Sequence, residues 1–365
     1  MSAPVSSDTL SDLLRTVRLT GAVFFDIEAD APWSKLQPAG PAIASSVLPG
    51  VQHLISYHAI TEGSCWGGLA DGEPLRLEAG DVIVFPHGDA HVLSSARGMQ
   101  ASADLGAYRA PASQLPVTMR FEGDARARTH LVCGFLGCDV RPFNPLIATL
   151  PRVLHVRDGT GPNGGWLGNF VRVALDESRT KRSGGESVLA RMSELLFVEA
   201  VRRHLESLPA EQTGWLAGLR DPQIGRALAL LHARPGFGWS LPGLAREVGM
   251  SRSALAERFA LLLGMPPMQY LASWRMQVAT GRLARGEKVV SIALEVGYDS
   301  EAAFSRAFKK LVGRSPRAWR ADQSPPGTKA RSAARKARRS REGSAGSAQE
   351  RRLRGHGLAR DRARQ

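Results

Sequence analysis

Hydrophobic and polar positions follow two different periods along this chain. Residues 9–19 carry apolar side chains at helical spacing, which predicts a short leading helix. From about Gly21 to Gly137 the apolar positions form short β-type runs separated by turns, a pattern typical of a sandwich or barrel. From Pro142 to about Arg320 the period becomes helical. The pattern therefore predicts an α+β multidomain chain with a β-barrel in its N-terminal part and an all-α C-terminal domain.

One stretch of the helical part occurs twice. The run from Ala245 to Ser251 returns, with a single extra residue, as the run from Ala293 to Ser300. The agreement continues downstream, where one set of residues corresponds in order to another: Leu255, Phe259, Gly264, Pro267 and Tyr270 to Phe304, Phe308, Gly313, Pro316 and Trp319. A repeat of this kind indicates one supersecondary unit used twice. Each copy reads as helix, glycine turn, helix, which is the helix-turn-helix pattern found in DNA-binding proteins.

The first unit has the residues that such a turn needs. Gly249 permits a positive φ, and Ser251 follows at the N-cap position of the second helix. Leu255 and Phe259 face inward, so the opposite face is free to reach base edges or phosphates. The residues expected to contact DNA from this unit are Ser251, Arg252, Ser253, Ala256 and Glu257. The Glu257 carboxylate could accept a hydrogen bond from cytosine N4.

The second unit repeats the arrangement, with Gly297 at the turn and Ser300 at the cap. Its expected DNA contacts are Ser300, Glu301, Ala302, Ser305, Arg306, Lys309 and Lys310. Arg306 could pair with guanine, while the two lysines are better placed for phosphates. A helix of roughly 18 residues between the units would be about 27 Å long. That length could hold two recognition helices in successive major grooves, because one turn of B-DNA is about 34 Å.

These residues resemble the AraC/XylS family of bacterial transcription regulators. The resemblance covers about Asp221 to Arg320, and it is carried by Trp274-Arg275-Met276, Ser291-Ile292-Ala293, Val296-Gly297-Tyr298, Ser300 to Lys309, Gly313 to Pro316 and Trp319-Arg320. It implies a seven-helix domain that binds promoter DNA and controls transcription.

A second motif lies in the β-rich part. Gly80, Pro86, Gly88 and His91 have the spacing of the second sequence motif of the cupin barrels. In such a barrel the proline and glycine form a sharp corner and the histidine points inward. The N-terminal part also resembles the cupin-type sensor of some AraC-like regulators, through Ala31-Pro32-Trp33, Glu62 to Trp66, Leu77 to Asp81, Pro86-His87-Gly88 and Val132-Cys133-Gly134. This resemblance implies effector sensing.

The metal ligands of cupin enzymes are not matched. The first cupin motif should supply two histidines one residue apart and a downstream glutamate, whereas His53, His58 and Glu62 have other spacings. We therefore expect no metal and no cofactor. His58, Trp66 and His91 are the residues that we expect in an effector pocket.

Three cysteines, Cys65, Cys133 and Cys138, are too few for a disulfide framework and are typical of a reducing compartment. Cys133 and Cys138 could form a redox pair if strand geometry allowed a bridge. The alternative is that they are buried structural thiols.

The net charge of +14 is unevenly distributed. Residues 325–365 contain 13 Lys/Arg and three acids, so the tail carries +10 and the rest only +4. Overall basicity is therefore weak support for DNA binding. The N-terminus has no secretory signal pattern, and no apolar stretch reaches about 18 residues, so we expect a cytoplasmic protein without membrane contact.

The predicted domains follow from these observations. Residues 1–205 form a cupin-like sensing and dimerisation domain that ends in an amphipathic helix at 187–205, a pattern typical of a dimer interface or of packing on the barrel. Residues 206–220 are expected to be a linker, and 221–322 a DNA-binding domain with two helix-turn-helix units. Residues 323–365 are expected to be a disordered basic tail, a solvated extension that could also add non-specific, salt-sensitive DNA affinity.

The leading hypothesis is a bacterial transcription regulator and not an enzyme. Its expected partners are double-stranded promoter DNA, an unknown small-molecule or oxidant effector, a second copy of the chain, and RNA polymerase if it is an activator. The first alternative is a metal-dependent cupin enzyme with an auxiliary helical domain. The second is a DNA-compacting protein that binds non-specifically through its tail.

Overall fold

The computed structural model describes residues 8–109, 116–157, 169–170, 173–174, 176–177, 180, 182–209 and 212–323. The predicted basic tail, apart from residue 323, lies outside the described residues. None of the helices described is long and apolar enough to cross a membrane.

Two β-sheets build the N-terminal domain. The strands are β1 (Thr20–Ala31), β2 (Ser34–Gln37), β3 (His53–Glu62), β4 (Ser64–Leu69), β5 (Leu75–Glu78), β6 (Val82–Phe85), β7 (His91–Ser94), β8 (Val117–Phe121), β9 (Asp124–Cys138) and β10 (Leu154–Val156). One sheet has the order β10-β6-β3-β9-β1-β8 and the other β2-β7-β4-β5. Side chains of both sheets, among them Phe25, Phe85 and Leu93, share one buried core. The predicted β-rich, cupin-like domain is therefore confirmed.

Helices cover the outside of this domain. They are α1 (Thr9–Thr16), α2 (Gly40–Val47), α3 (Pro145–Thr149) and α4 (Gly185–Ser207). The hydroxyl groups of Tyr57 and Ser193 are 2.7 Å apart, which joins α4 to the outer face of β3. A Cβ at Gly21 would lie 2.6 Å from the carbonyl oxygen of Ala190, so only glycine allows α4 this close to β1. The amphipathic helix thus packs on the sheet, while Val188 and Leu195 remain exposed on its other side.

The C-terminal part is all-α, as predicted. Its helices are α5 (Trp215–Arg220), α6 (Pro222–Ala233), α7 (Leu241–Val248), α8 (Arg252–Leu263), α9 (Pro267–Ala284), α10 (Val289–Glu295), α11 (Glu301–Val312) and α12 (Pro316–Gln323). The seven helices from α6 to α12 agree with the number implied by the family resemblance. Helix α9 has 18 residues and separates the two helix-turn-helix units.

The linker expected at 206–220 requires a correction. Helix α4 continues to Ser207, and Trp215–Arg220 forms α5. Trp215 is buried, and its indole N–H donates a hydrogen bond of 2.8 Å to the hydroxyl oxygen of Tyr270. A buried indole with a satisfied N–H stabilises the helix that carries it. The helix has only six residues and polar neighbours, so the sequence pattern does not predict that Trp215 is buried.

Candidate nucleic-acid interface and barrel interior

The turn of the first unit has the predicted backbone. Gly249 has a φ of +71°, and the Ser251 hydroxyl accepts a hydrogen bond of 3.2 Å from the backbone N–H of Ala254. Leu255 and Phe259 are fully buried on the inner face of α8. These contacts leave the opposite face of α8 outward, with Arg252, Ser253 and Glu257 exposed and Ala256 half-buried.

Arg258 is a residue of the first unit that the sequence analysis missed. Its guanidinium donates to the Asp221 carboxylate, with 2.7 Å between Nε and Oδ2. The other oxygen of Asp221 caps α6 by accepting the backbone N–H groups of Gln223 and Ile224 at 3.0 and 2.9 Å. Arg258 therefore positions α8 against α6. Arg258 lies 37 residues from Asp221, so a local sequence pattern does not indicate this pair.

The second unit has the same geometry. Gly297 has a φ of +84°, and the Ser300 hydroxyl accepts the backbone N–H of Ala303 at 3.2 Å. Phe304 and Phe308 are fully buried. The residues on the outer face are the exposed Glu301, Ala302, Arg306, Lys309 and Lys310, with Ser305 half-buried.

Arg275 of α9 joins the two units. Its guanidinium donates to the carbonyl oxygens of Pro235 and Phe237, in the loop that leads from α6 into the first unit, at 2.7 and 2.9 Å. A third hydrogen bond, of 3.3 Å, reaches the carbonyl of Gly297 in the turn of the second unit. Desolvation lowers the pKa of Arg275, and the nearby Tyr298 opposes that effect. These bonds hold the loop before α7 next to the turn that precedes α11.

Charge is segregated between the domains. Residues 210–323 contain 16 Lys/Arg and nine Asp/Glu, a net of +7, whereas residues 1–209 contain 19 and 22, a net of −3. The positive field of the folded part is therefore concentrated on the helical domain, where it attracts phosphates. The net charge of +4 outside the tail is the sum of these two opposite values, so the total alone does not show the difference between the domains.

A chain of hydrogen bonds crosses the interior of the β-domain. The imidazole of His58 has its Nε2 at 2.6 Å from Nε2 of His91 and its Nδ1 at 2.7 Å from Sγ of Cys133. Nδ1 of His91 lies 2.8 Å from the carbonyl oxygen of Asp89. A carbonyl only accepts, so His91 donates there and must accept from His58, which in turn accepts from the Cys133 thiol.

Burial explains why the hydrogen-bonded side chains of His58, His91 and Cys133 are uncharged. Desolvation lowers the pKa of His91 to about 4 and lowers that of His58 well below its ordinary value. Burial also raises the pKa of the Cys133 thiol to about 12, against an opposing effect of Lys35. All three groups are therefore neutral near pH 7, in agreement with the donor and acceptor order of the hydrogen bonds.

Lys35 was not predicted and enters the same interior. Its ammonium lies 3.6 Å from the centre of the Phe25 ring and 2.9 Å from the sulfur of Met119. Burial is the main cause that lowers its pKa, and the nearby Cys133 opposes this. A mostly buried ammonium group is a candidate contact for an anionic or polar ligand. The only sequence signal was a lysine within a short β-type run.

Trp66 does not join His58 and His91. Cys65 is buried in the core between the sheets, so its neighbour on β4 points to the other side. There the Trp66 ring lies 5.7 Å from the guanidinium carbon of Arg76 and 6.0 Å from that of Arg97. Trp66 therefore lies outside the expected pocket, whereas His58 and His91 lie next to each other.

The expected redox pair of Cys133 and Cys138 is also incompatible with the fold. Both residues lie on β9 in unbroken register with β3, where they face His58 and His53. Five residues of strand separate them by about 16 Å, and the odd spacing puts them on opposite faces. A disulfide needs Cα atoms less than about 7 Å apart. All three cysteines are free and buried.

The ligands that a metal-dependent cupin enzyme would need do not converge. His53 is bound by its Nε2 to the carbonyl of Pro86 at 2.7 Å, and Glu62 is exposed at the end of β3. Within the described part of the chain, no group of three His, Cys, Asp or Glu side chains could hold a metal ion.

The fold and its surface define a two-domain DNA-binding protein, with a cupin-like domain followed by duplicated helix-turn-helix units. A family model described as Cupin matches residues 8–206, and one described as Helix-turn-helix domain matches residues 244–322. The chain belongs to the AraC-like family of transcription regulators, and the resemblance noted in the sequence is thereby confirmed.

Three relatives support this assignment over most of their length. A putative AraC-like transcription regulator of Streptomyces lividans is 33% identical over 323 residues, covering 87% of this chain and all of the relative. One of Streptomyces antibioticus is 30% identical over 326 residues, with the same coverage. The HTH-type transcriptional regulator AlkR of Acinetobacter baylyi is 28% identical and covers 86% of this chain and 99% of its own. The chain is thus a transcription regulator and not an enzyme.

Proposed function

We propose that the protein is a one-component regulator of the bacterial cytoplasm. A small molecule or oxidant acts on the cupin-like domain, and the two helix-turn-helix units read adjacent major grooves of a promoter. The observation that carries this proposal is α9, whose 18 residues span about 27 Å and connect two units with exposed recognition faces. A bent or broken connection would not hold two probes on one face of the duplex.

The roles of the recognition residues follow from their surroundings. Arg306 is exposed on α11, and among the described side chains it has no acidic partner, so its guanidinium is free to form a bidentate pair with guanine. Glu257 is exposed on α8 and can accept from cytosine N4. Lys309 and Lys310 lie at the end of α11, where point charges suit phosphates.

The effector site is the interior that holds His58, His91 and Lys35. Two neutral imidazoles and a buried ammonium offer both donor and acceptor groups inside an apolar shell. A ligand that binds one arrangement of the domains more tightly would shift the population toward that arrangement. Effector binding would in this way alter promoter occupancy, with RNA polymerase as a further partner if the outcome is activation.

A homodimer forms through α4 in this proposal. Leu195 is 53% exposed and Val188 is 44% exposed on the side of α4 that faces away from the sheet. Pairing these faces would remove apolar surface from water and place two DNA-binding domains on one promoter. A Leu195→Lys substitution should convert the dimer into a monomer in sedimentation experiments, with Arg97→Ala as a control on a distant surface.

The decisive experiment compares the full chain with a chain truncated after Gln323. Each is titrated with the upstream DNA of its own gene and with random DNA over a range of salt concentrations. Preference for the upstream fragment that survives truncation and physiological salt is the expected result. Equal binding to both DNAs that disappears with salt would leave only phosphate contact, and loss of all binding on truncation would favour the tail as the DNA-binding element.

A further inference from the structure

The cupin-like domain contacts the DNA-binding domain through Phe143, in the loop between β9 and α3. The Phe143 ring lies edge-on to the ring of Tyr270 on α9, with 5.2 Å between their centres. The backbone N–H of Phe143 donates a hydrogen bond of 3.0 Å to the side-chain oxygen of Gln277, which is completely buried. One residue therefore makes both an aromatic and a polar contact across the domain boundary.

Tyr270 connects this contact to the first recognition helix. Its ring lies 5.7 Å from that of Phe259 on α8, also edge-on. Its hydroxyl accepts from the indole of Trp215 and lies 2.8 Å from Nε2 of His232, so the ring is held from several sides. The Tyr270 ring therefore contacts both Phe143 of the sensor and Phe259 of α8.

An ion pair holds the loop that carries Phe143. The guanidinium of Arg18 donates to both oxygens of the Asp139 carboxylate, at 2.6 and 2.9 Å. Arg18 has a φ of +53°, a backbone conformation that a side chain other than glycine rarely adopts without compensation. The Arg18–Asp139 pair links the end of α1 to the start of the loop that carries Phe143, and α1 itself packs against α6. Within the loop, the side-chain amide of Asn144 donates a hydrogen bond of 2.9 Å to the Asp139 carbonyl. The ion pair thus joins two of the sensor elements that contact the DNA-binding domain.

The two helix-turn-helix units differ in their relation to the sensor. One continuous apolar core contains sensor residues such as Leu13 and Leu146 together with Phe259 of the first unit and Tyr270 of α9. The second unit has a core of its own, built around Phe304 and Phe308, and within the described chain that core includes no sensor residue. The first unit is packed as an extension of the sensor, and the second is attached to it through α9 and Arg275.

We propose that the sensor governs DNA contacts of the first unit only, and that the second unit holds DNA independently of the sensor. The connection, here called the interdomain lock, consists of Arg18, Asp139, Phe143, Tyr270 and Gln277. A signal that displaces the end of β9 breaks the lock and loosens α8 while α11 keeps its packing. The DNA consequence rests on the proposed function, but the existence of the lock does not.

Hydrogen exchange of the DNA-free full chain tests the lock directly. Phe143→Ala and Asp139→Asn each remove one part of it, and Asp30→Asn is the matched control. Asp30 pairs with Arg128 at the opposite end of β9, with 3.0 Å between its Oδ1 and Nε of the arginine. Exchange in α8 should rise by about 10-fold in both lock variants and stay within about 2-fold in α11 and in the control. Equal acceleration of both helices, or of neither, overturns the proposal. If Phe143→Ala fails to fold, Asp139→Asn decides the matter.

A DNA site selected from random sequence by the wild-type chain provides the functional readout. Footprints of the lock variants should lose protection by about 10-fold in the half read by α8 and by less than about 2-fold in the half read by α11. Equal losses in both halves contradict the proposal. If selection returns no preferred sequence, the proposed function fails, while the exchange experiment still decides whether the lock exists.

Discussion

The hydroxyl groups of Ser251 and Ser300 occupy the same position in two successive units. Each accepts a backbone N–H from the residue three places later, and each hydrogen bond is 3.2 Å long. Each serine follows a glycine turn with positive φ and precedes a helix of 12 residues. The duplication seen in the sequence is therefore a duplication of local hydrogen bonding as well as of residue types.

Loss of either cap should weaken its recognition helix. Ser300→Ala leaves the N–H of Ala303 without its partner and should cost about 1 kcal/mol of unfolding free energy. Ser300→Asn retains an acceptor and should remain close to wild type. Urea unfolding measures both variants, and equal destabilisation by alanine and asparagine would contradict the capping role.

The two turn glycines should differ in their tolerance of alanine. At Gly249, with φ of +71°, an added Cβ meets nothing within 4 Å, so Gly249→Ala should cost only the backbone strain, about 1 kcal/mol. At Gly297 the same Cβ would lie 2.7 Å from the carbonyl oxygen of Gly236 and 2.6 Å from the Arg275 guanidinium. Gly297→Ala should therefore cost roughly 1–3 kcal/mol more. Unfolding of the two variants side by side tests this, and similar losses would refute the difference.

Substitutions on α11 should distinguish residues that read bases from residues that bind phosphates, because the two kinds of contact affect DNA binding differently. Arg306→Ala should cost about 1–3 kcal/mol of operator binding and relax the preference at one base pair. Lys309→Ala should weaken binding on all sequences and reduce the slope of log affinity against log salt by about 1. Arg97→Ala, in the sensor domain and paired with Glu73, is the control and should change neither quantity. Fluorescence anisotropy over a salt series provides the measurement.

Buried His91 should make the free energy of unfolding depend on pH. Burial lowers the pKa of His91 to about 4 from an ordinary 6.5, so between these pH values the unfolded chain binds a proton that the folded chain does not. The contribution of neutral His91 to the free energy of unfolding is therefore fully present above pH 6.5, and it is lost as the pH falls toward 4. The decline from pH 7.5 to pH 5 should be smaller in His91→Gln by roughly 2 kcal/mol. Parallel pH profiles of unfolding would show that His91 does not titrate this way.

The thiols should be inert in the native protein. Burial raises the pKa of Cys133 and of Cys138 to about 12, and thiolate is the reactive form. At pH 7.5 a disulfide reagent such as dithionitrobenzoate should react with the folded chain at least about 100-fold more slowly than with the unfolded chain. Diamide treatment should produce no link between Cys133 and Cys138. Rapid stoichiometric reaction or such a link would restore the redox hypothesis.

Short-range physics determined what the sequence revealed by itself. Glycine at a left-handed turn, serine at a cap and apolar residues at helical spacing each act within a few residues, so both helix-turn-helix units were readable from one chain. The same holds for the β-rich texture of the N-terminal part, since alternation and turns are local features. The family resemblance rests on these positions, and the comparisons confirm it.

Tertiary structure alone decided the contacts that span long separations. His58, His91 and Cys133 meet because the register of β3, β6, β7 and β9 brings them together, and the same alternation directs Trp66 outward. Helix α5 is stabilised by the burial of Trp215, which no six-residue pattern indicates. Arg275, Arg258 and Phe143 each bind partners at least 22 residues away. Such pairings depend on chain topology and burial, whose free energies are set only when the whole fold is assembled.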